Sequence, residues 1–221
     1  MDIESRKRNL SNKDNNIVKS VIFIIVVVIV VSLIGIGSYY ILLNNDNKET
    51  KETNKSIDEI TAYNLRLNEN DSEEFKNEFN NLKSILESSE IDKDKYAESV
   101  AKLFVIDLYT MDTKTNKYDV GGSELVLPVF KDNYTLNVTN TIYNYLEDNT
   151  DGKRNQNLPH VRKVDVIKND TKEYTISGDN TPYNAYVFNM KLSYKYDLGY
   201  DSEVEVIVVY KDNFMYVVEK N

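Results

Sequence analysis

Asp107 is the side chain whose position most suggests chemistry. It precedes Met111 by four residues in a run of helical periodicity, which places it on the apolar face of a predicted helix. An isolated buried charge is costly, so this carboxylate must be paired, hydrogen-bonded or protonated. It is either a general acid or base in a pocket, or a structural carboxylate satisfied by tyrosine hydroxyls or a main-chain N–H, and the pattern favours the structural role. The candidate members of such a pocket or buried polar network are Asp107, Tyr186, Tyr194 and Tyr196.

The composition excludes most other site chemistry. The 221 residues include no cysteine, which excludes disulfides, a thiolate nucleophile and cysteine-ligated zinc or iron–sulfur centres. A single histidine excludes a relay or metal site that needs two histidines from one chain. The net charge of −9 argues against nucleic acid as a partner, because nucleic-acid binders present positive charge to phosphates. We therefore predict no catalytic residues, no metal ligands, no cofactor and no enzymatic activity.

The 17 tyrosines suggest contact surfaces as well as core packing, because tyrosine supplies a broad and rigid contact area. Most of those in the C-terminal part alternate along predicted strands, where packing against helices accounts for them. Tyr183, Tyr200 and Tyr216 lie instead near strand ends or turns. We predict these three at the mouth of a pocket or in an interface.

The elements that must position these residues change type along the chain. Apolar residues recur at three- and four-residue spacing after Asp71 and again after Asp92, and a third helix is predicted over 133–147. After Leu158 the period becomes two. The predicted strands cover 161–168, 172–176, 186–196, 204–210 and 214–219. Helices followed by antiparallel strands predict an α+β fold, with two or three helices packed on a curved four- to five-stranded antiparallel sheet.

The N-terminal part contains a stretch long enough to cross a membrane. Val21 to Leu43 has no charged residue, and a helix of this length spans about 35 Å, against a hydrocarbon core of roughly 30 Å. The excess of lysine and arginine before this stretch favours a cytoplasmic N-terminus. The predicted segments are a cytoplasmic tail over 1–19, a transmembrane helix over 20–43, a polar tether over 44–70 and an extracytoplasmic α+β domain over 71–221.

The predicted tether has two parts. Residues 44–56 contain no apolar side chain and cannot bury enough surface to offset the entropy of ordering. Ile57, Ile60, Asn64 and Leu67 then share one face of a helical projection. This spacing predicts a short helix before the folded domain begins.

This order of elements resembles that of the nuclear-transport-factor-2-like cone, in which helices precede a strongly bent antiparallel sheet. With a short tail and one span in front, the chain is similar to the bitopic scaffold proteins of type IV secretion and Gram-positive conjugation machines. The resemblance covers residues 71–221 and rests on element order, not on a motif. It implies an assembly hub in a cell-envelope complex whose partners are proteins of that complex, and it leaves open whether the chain also forms a homo-oligomer.

Two functions are compatible with these observations. The first is a non-enzymatic, single-span membrane protein whose extracytoplasmic domain binds partner proteins. The second is a domain that binds a small ligand or acts as a catalyst, with a pocket around Asp107 between helices and sheet. A pocket of several hundred Å³ lined by Asp107 and two or more tyrosines favours the second function. A filled core with an exposed apolar patch favours the first.

Overall fold

The computed structural model describes residues 56–179 and 181–221, and this part of the chain contains three α-helices and six strands. The helices are α1 (Glu73–Leu86), α2 (Lys93–Tyr109) and α3 (Pro128–Asn140). The strands are β1 (Ser56–Ile60), β2 (Leu65–Asn68), β3 (Val161–Thr175), β4 (Pro182–Tyr194), β5 (Glu203–Lys211) and β6 (Phe214–Lys220). The predicted α+β class is confirmed, with helices preceding a four-stranded antiparallel sheet.

The four long strands pair in chain order, β3-β4-β5-β6, and each pair is antiparallel. Phe188, Met190 and Leu192 of β4 are buried in the main core, while Lys191 and Ser193, which alternate with the last two, are exposed. This alternation follows from the two-residue period of a strand. Nearer the start of β4 the opposite face is covered as well, where a second cluster forms from Ala185, Val187, Ile207 and Val209.

The helices begin at residues whose side chains accept main-chain hydrogen bonds. The Ser72 hydroxyl accepts the Phe75 N–H at 3.1 Å at the start of α1, and Asp92 accepts the N–H groups of Asp94 and Lys95 at the start of α2. Helix α2 is the centre of the core, with side chains buried all around it. Its fully buried residues include Val100, Leu103, Phe104 and Leu108. A helix surrounded by protein needs no polar face, which explains why its sequence is apolar on most sides.

The bounds of the third helix were predicted wrongly, because α3 covers Pro128–Asn140 and not 133–147. Pro128 lies in the first turn of α3, where the N–H that proline lacks would have no acceptor within the helix. The two strands predicted at 161–168 and 172–176 are one strand, β3. Residues 169–171 are polar, but they pair with β4 at the exposed edge of the sheet.

The short helix predicted for Ile57, Ile60, Asn64 and Leu67 is also wrong. Strands β1 and β2 form an antiparallel hairpin there, joined by a 3₁₀ turn at Thr61–Tyr63. Leu65 and Leu67 are buried at two-residue spacing, as a strand requires, and Asn64 adopts a left-handed conformation with φ 52°. Because the hairpin contributes four residues to the main core, this part of the predicted tether over 44–70 belongs to the folded domain.

The remaining N-terminal predictions concern residues outside the described part of the chain. The cytoplasmic tail over 1–19, the transmembrane helix over 20–43 and residues 44–55 of the tether lie there. Within 56–179 and 181–221, no helix has the length and apolar composition needed to cross a bilayer.

Candidate functional site

Asp107 lies in a polar cleft of about 480 Å³, called here the Asp107 cleft. It is formed by β2 and by two parts of the connection between α2 and α3, residues 113–114 and residues 119–124. Asp71, Asp107, Lys114 and Asp119 supply its principal charges. The lining residues are Asn64, Leu65, Arg66, Asn68, Asp71, Phe75, Asp107, Thr113, Lys114, Asp119, Val120, Ser123 and Glu124, and no tyrosine is among them.

Each of the three aspartates in the Asp107 cleft accepts a main-chain N–H from its own surroundings. Asp107 Oδ2 accepts the N–H of Gly122 at 2.6 Å, and its Oδ1 accepts a hydrogen bond from the Lys114 ammonium. Asp71 accepts the N–H of Asn68 at 2.7 Å, and Asp119 accepts that of Thr115 at 2.8 Å. These bonds fix the loops around the cleft. Asp107 is thus satisfied by a lysine and a loop amide, not by tyrosine hydroxyls.

Burial and neighbouring charges shift the pKa values of Lys114 and Asp71 in the cleft. Burial disfavours the charged form of Lys114, but the carboxylates of Asp107, Asp119 and Asp71 outweigh it and hold the lysine pKa above its ordinary value. Burial raises the pKa of Asp71, against the opposing effect of its bond from Asn68. Only 10% of the Lys114 side chain and 17% of the Asp107 side chain are exposed. Lys114 and Asp107 therefore form a largely buried ion pair.

Two glycines allow the loop before α3 to pack directly on α2. A Cβ added to Gly121 would lie 2.0 Å from the Asp107 carbonyl oxygen. Gly122 has φ +75°, and a Cβ there would lie 2.6 Å from the Phe104 ring. The Gly121 carbonyl also accepts a hydrogen bond from Tyr134 at 2.7 Å. This close approach delivers the Gly122 N–H to Asp107.

The three tyrosines proposed to accompany Asp107 lie elsewhere. Tyr186 is half-buried and lines a separate depression with Asp94 and Asp170. The Tyr194 hydroxyl donates to the Asp201 carbonyl at 2.8 Å, and burial raises its pKa. Tyr196 is 61% exposed beyond the end of β4. The pocket of Asp107 and tyrosines that favours a ligand-binding function is therefore not formed by these residues.

The tyrosines predicted in an interface occupy three different positions. The Tyr183 hydroxyl donates to Asp179 at 2.6 Å and accepts a hydrogen bond from Lys211. Tyr200 packs partly against the main core. Tyr216 lines an apolar depression of about 330 Å³ beside the start of α3. None of the three is among the lining residues of the groove described below.

His160 joins a cluster of polar side chains in which both of its ring nitrogens face carboxylates. Its Nδ1 lies 2.8 Å from Asp112, and its Nε2 lies 3.3 Å from Glu74. Glu74 also pairs with Arg162 at 3.2 Å. This cluster joins the start of α1, the loop after α2 and the start of β3. It lacks an adjacent nucleophile in the described part of the chain and has the arrangement of a structural contact.

A second cavity, called here the α3–β6 groove, is apolar. It has a volume of about 390 Å³ and lies between α3 and the C-terminal half of β6, with α2 at its base. Its lining residues are Phe104, Leu108, Val126, Phe130, Asn133, Tyr134, Asn137, Val138, Ile142, Val217, Val218, Glu219 and Lys220. A groove of this size and composition suits the side chains of a bound polypeptide or an apolar ligand.

Helix α3 also presents apolar side chains away from the groove. Val129 and Leu136 are 65% and 63% exposed, and they lie seven residues apart on one helical face. Phe130, Tyr134 and Val138 occupy the face that lines the groove. Our prediction missed this surface because it began the third helix at residue 133, after Val129. The signal available in the sequence was that apolar residues of 128–140 fall on two faces.

Comparisons with known proteins do not help to choose between the Asp107 cleft and the α3–β6 groove. No family model matches the chain, and neither a curated protein nor a solved structure matches it. Among the described residues, no group of three or more histidine, aspartate or glutamate side chains is arranged to hold a metal ion. The Asp107 cleft and the α3–β6 groove therefore remain as the candidates.

Proposed function

We propose that residues 56–221 form a protein-interaction module and that α3 with the α3–β6 groove is its contact surface. The observation that carries this proposal is the combination of an apolar groove with exposed Val129 and Leu136 on the same helix. These two residues extend the apolar surface of α3 from the groove onto its outer face, and exposed apolar surface of this kind is typical of sites that bind another protein. The filled core around α2 supports the same choice.

The alternative, a ligand-binding or catalytic site around Asp107, has weaker support. Its carboxylates already accept hydrogen bonds from Gly122, Asn68 and Thr115, which leaves them poorly placed to exchange protons with a substrate. Lys114 is engaged with Asp107 in the same way. The cleft is polar and is lined by no tyrosine. We propose that its residues hold in place the loop before α1 and the connection between α2 and α3.

We further propose that the apolar stretch over 20–43 anchors this module in a membrane and that the module lies outside the cytoplasm. The support is the uncharged length of Val21 to Leu43 and the basic residues before it. The resemblance of the element order to secretion and conjugation scaffolds supports a role in assembling a cell-envelope complex. Protease added to intact cells stripped of their wall should digest the module; protection of the module would contradict this topology.

The interaction function is tested by photo-crosslinking in cells that express the full-length chain. A photoreactive residue at Leu136 should give discrete crosslinked proteins, and Val129→Glu should abolish them because it places a charge on the contact face. Ile167 of β3 is the matched control position, since it is also apolar and 59% exposed but lies on the opposite edge of the sheet. Equal crosslinking at both positions, or none at Leu136, would overturn the proposal.

A further inference from the structure

The outer side of β6, the side away from β5, is covered for only part of its length. The Tyr63 hydroxyl donates to the Met215 carbonyl at 2.7 Å and accepts the Met215 N–H at 3.2 Å. The Val217 carbonyl accepts the N–H of Leu127 at 2.9 Å. Beyond Val217, no described residue pairs with the outer side of the strand. The open part thus lies between Val218 and Lys220.

The main chain of Lys220 faces this open side. Glu205 and Asn221 exchange both N–H···O bonds, at 3.0 and 2.9 Å, so they form a hydrogen-bonded pair. In an antiparallel ladder the adjacent pair is of the other kind, and its N–H and C=O groups point away from the partner strand. That adjacent pair is Val206 with Lys220. Since β6 is an edge strand, the Lys220 N–H and C=O point into the region of the α3–β6 groove.

The chain begins a fifth strand at this position and then leaves it. Val126 forms a parallel bridge with Val217, and the following Leu127 donates to the same residue. Pro128 then turns the chain into α3. A strand that continued past Leu127 would run beside Val218 to Lys220, which is where the α3–β6 groove lies. The groove therefore occupies the place beside β6 where a fifth strand would continue.

The opposite edge of the sheet is protected in a different way. The outer strand β3 is exposed for most of its length. Its exposed charged residues are Arg162, Lys163, Asp165, Lys168, Asp170, Lys172 and Glu173. Charged side chains on an edge strand discourage pairing with another chain. The open part of β6 lies instead against apolar side chains of α3. Of the two edges, only that of β6 offers unpaired main-chain groups over an apolar floor.

We propose that the α3–β6 groove binds an extended segment of a partner protein as an added strand beside Val218–Lys220, and that this segment carries apolar residues flanked by basic ones. This inference rests on the proposed interaction function. The strand edge selects an extended backbone, and the apolar walls select alternate apolar side chains. Residues 56–221 carry 19 basic and 30 acidic residues, a net charge of −11, which favours a basic partner.

The two basic residues nearest the groove each contact another group of the same chain. Lys131 pairs with Glu124 at 2.7 Å, and the Lys220 ammonium lies over the Tyr109 ring, 5.7 Å from its centroid. Both cations are thus engaged by their own chain. Glu219 adds an acidic side chain to the lining. The lining of the groove thus carries one acidic and one basic side chain, and the preference for a basic flank rests on the net charge of −11 over residues 56–221.

The test measures binding of synthetic peptides to the purified full-length chain by fluorescence anisotropy. The probe is a short peptide of alternating valine and threonine with a lysine at each end, compared with the same peptide N-methylated on alternate main-chain nitrogens. N-methylation removes hydrogen-bond donors but keeps the side chains, so binding should weaken on the order of tenfold or more. Equal binding of both peptides, or binding of neither, would overturn strand addition. Glutamate ends in place of lysine should weaken binding at low salt, and equal affinity would overturn the basic preference.

Two variants of one residue separate the main chain from the side chain. Lys220→Pro removes the outward N–H, and an edge strand tolerates proline on its unpaired side. Lys220→Ala removes only the side chain. We expect loss of peptide binding for the proline variant and a much smaller change for the alanine variant; equal affinity of the two variants contradicts the proposal. If peptide binding fails while crosslinking at Leu136 persists, strand addition is wrong and the interaction function stands.

Discussion

The Asp107 cleft and the α3–β6 groove have similar volumes, about 480 and about 390 Å³, but they differ in what they leave unpaired. In the cleft, Asp107 and Lys114 are bonded to each other, and the flanking carboxylates accept main-chain N–H groups. In the groove, the walls are apolar and a strand edge is open beyond Val217. The comparison teaches that the most reactive residue types of this domain serve its own stability, while the surface free to bind a partner contains little reactive chemistry.

Replacing Asp107 tests this comparison with the largest expected effect. Asp107→Leu leaves the buried Lys114 charge without its partner and the Gly122 N–H without its acceptor, so the free energy of unfolding should fall by about 3–5 kcal/mol. The measurement is denaturant unfolding of the full-length chain. Asp132→Leu, on the exposed side of α3, is the control and should change stability little. Unchanged stability together with lost crosslinking at Leu136 would return Asp107 to the candidate active residues.

Removing one hydroxyl tests the covered part of β6. In Tyr63→Phe, the Met215 C=O loses its partner, the Met215 N–H keeps only its 3.4 Å bond to the Tyr96 hydroxyl, and that hydroxyl loses its neighbour. We expect unfolding to become easier by about 1–3 kcal/mol, because buried polar groups are left unsatisfied. Amide hydrogen exchange at Met215 should accelerate more than at residues of β4. Tyr145→Phe serves as the control, since Tyr145 is 84% exposed. If exchange at Met215 does not change, Tyr63 does not cover this edge.

Asp71 tests whether burial in the cleft has a cost that depends on pH. Because burial raises the Asp71 pKa, the folded state binds the proton more tightly than the unfolded state does. Asp71 therefore favours folding most at pH below the ordinary aspartate pKa, and this contribution is lost as pH rises through the folded-state value. Asp71→Asn should raise the free energy of unfolding at neutral pH by less than about 1 kcal/mol, with no gain in acid. A loss of stability at neutral pH would show that the charged form is favoured.

The groove side of the comparison predicts the smallest change in stability. Leu136→Glu places a charge on a side chain that is already 63% exposed, so unfolding should shift by no more than about 0.5 kcal/mol. Crosslinking from a photoreactive residue at Val129 should nevertheless be lost. Ile167→Glu on β3 is the matched control and should leave both properties unchanged. Strong destabilisation by Leu136→Glu would mean that this residue packs within the protein and is not a contact residue.

Much of the fold followed from local patterns. The starts of α1 and α2 follow Ser72 and Asp92, which satisfy the first N–H groups of a helix. The predicted strands over 204–210 and 214–219 are joined by a two-residue turn in which Asp212 and Asn213 both have positive φ. The hairpin at β1 and β2 was missed because Ile60, Tyr63 and Leu67 meet distant partners, and the spacing of a short segment does not reveal them.

The site was predictable only in part, for a related reason. That Asp107 must be buried and paired followed from its place among apolar residues of one helix. Its partners, Lys114 and Gly122, lie seven and fifteen residues further along the chain. The tyrosines were assigned to it because they lie on strands facing the helices. The register of β4 and the course of the loop before α3 decide which groups reach the carboxylate, and neither is a local property.

The sequence by itself determined the α+β order, the acidic charge and the absence of cysteine chemistry, because these depend on composition and on periods of two to four residues. Only the tertiary structure decided that the loop before α3 satisfies Asp107 and that Pro128 diverts a fifth strand away from β6. Hydrogen-bond pairing between distant segments is a property of the packed chain. For that reason the open end of the β6 edge appears in the structure and not in the sequence.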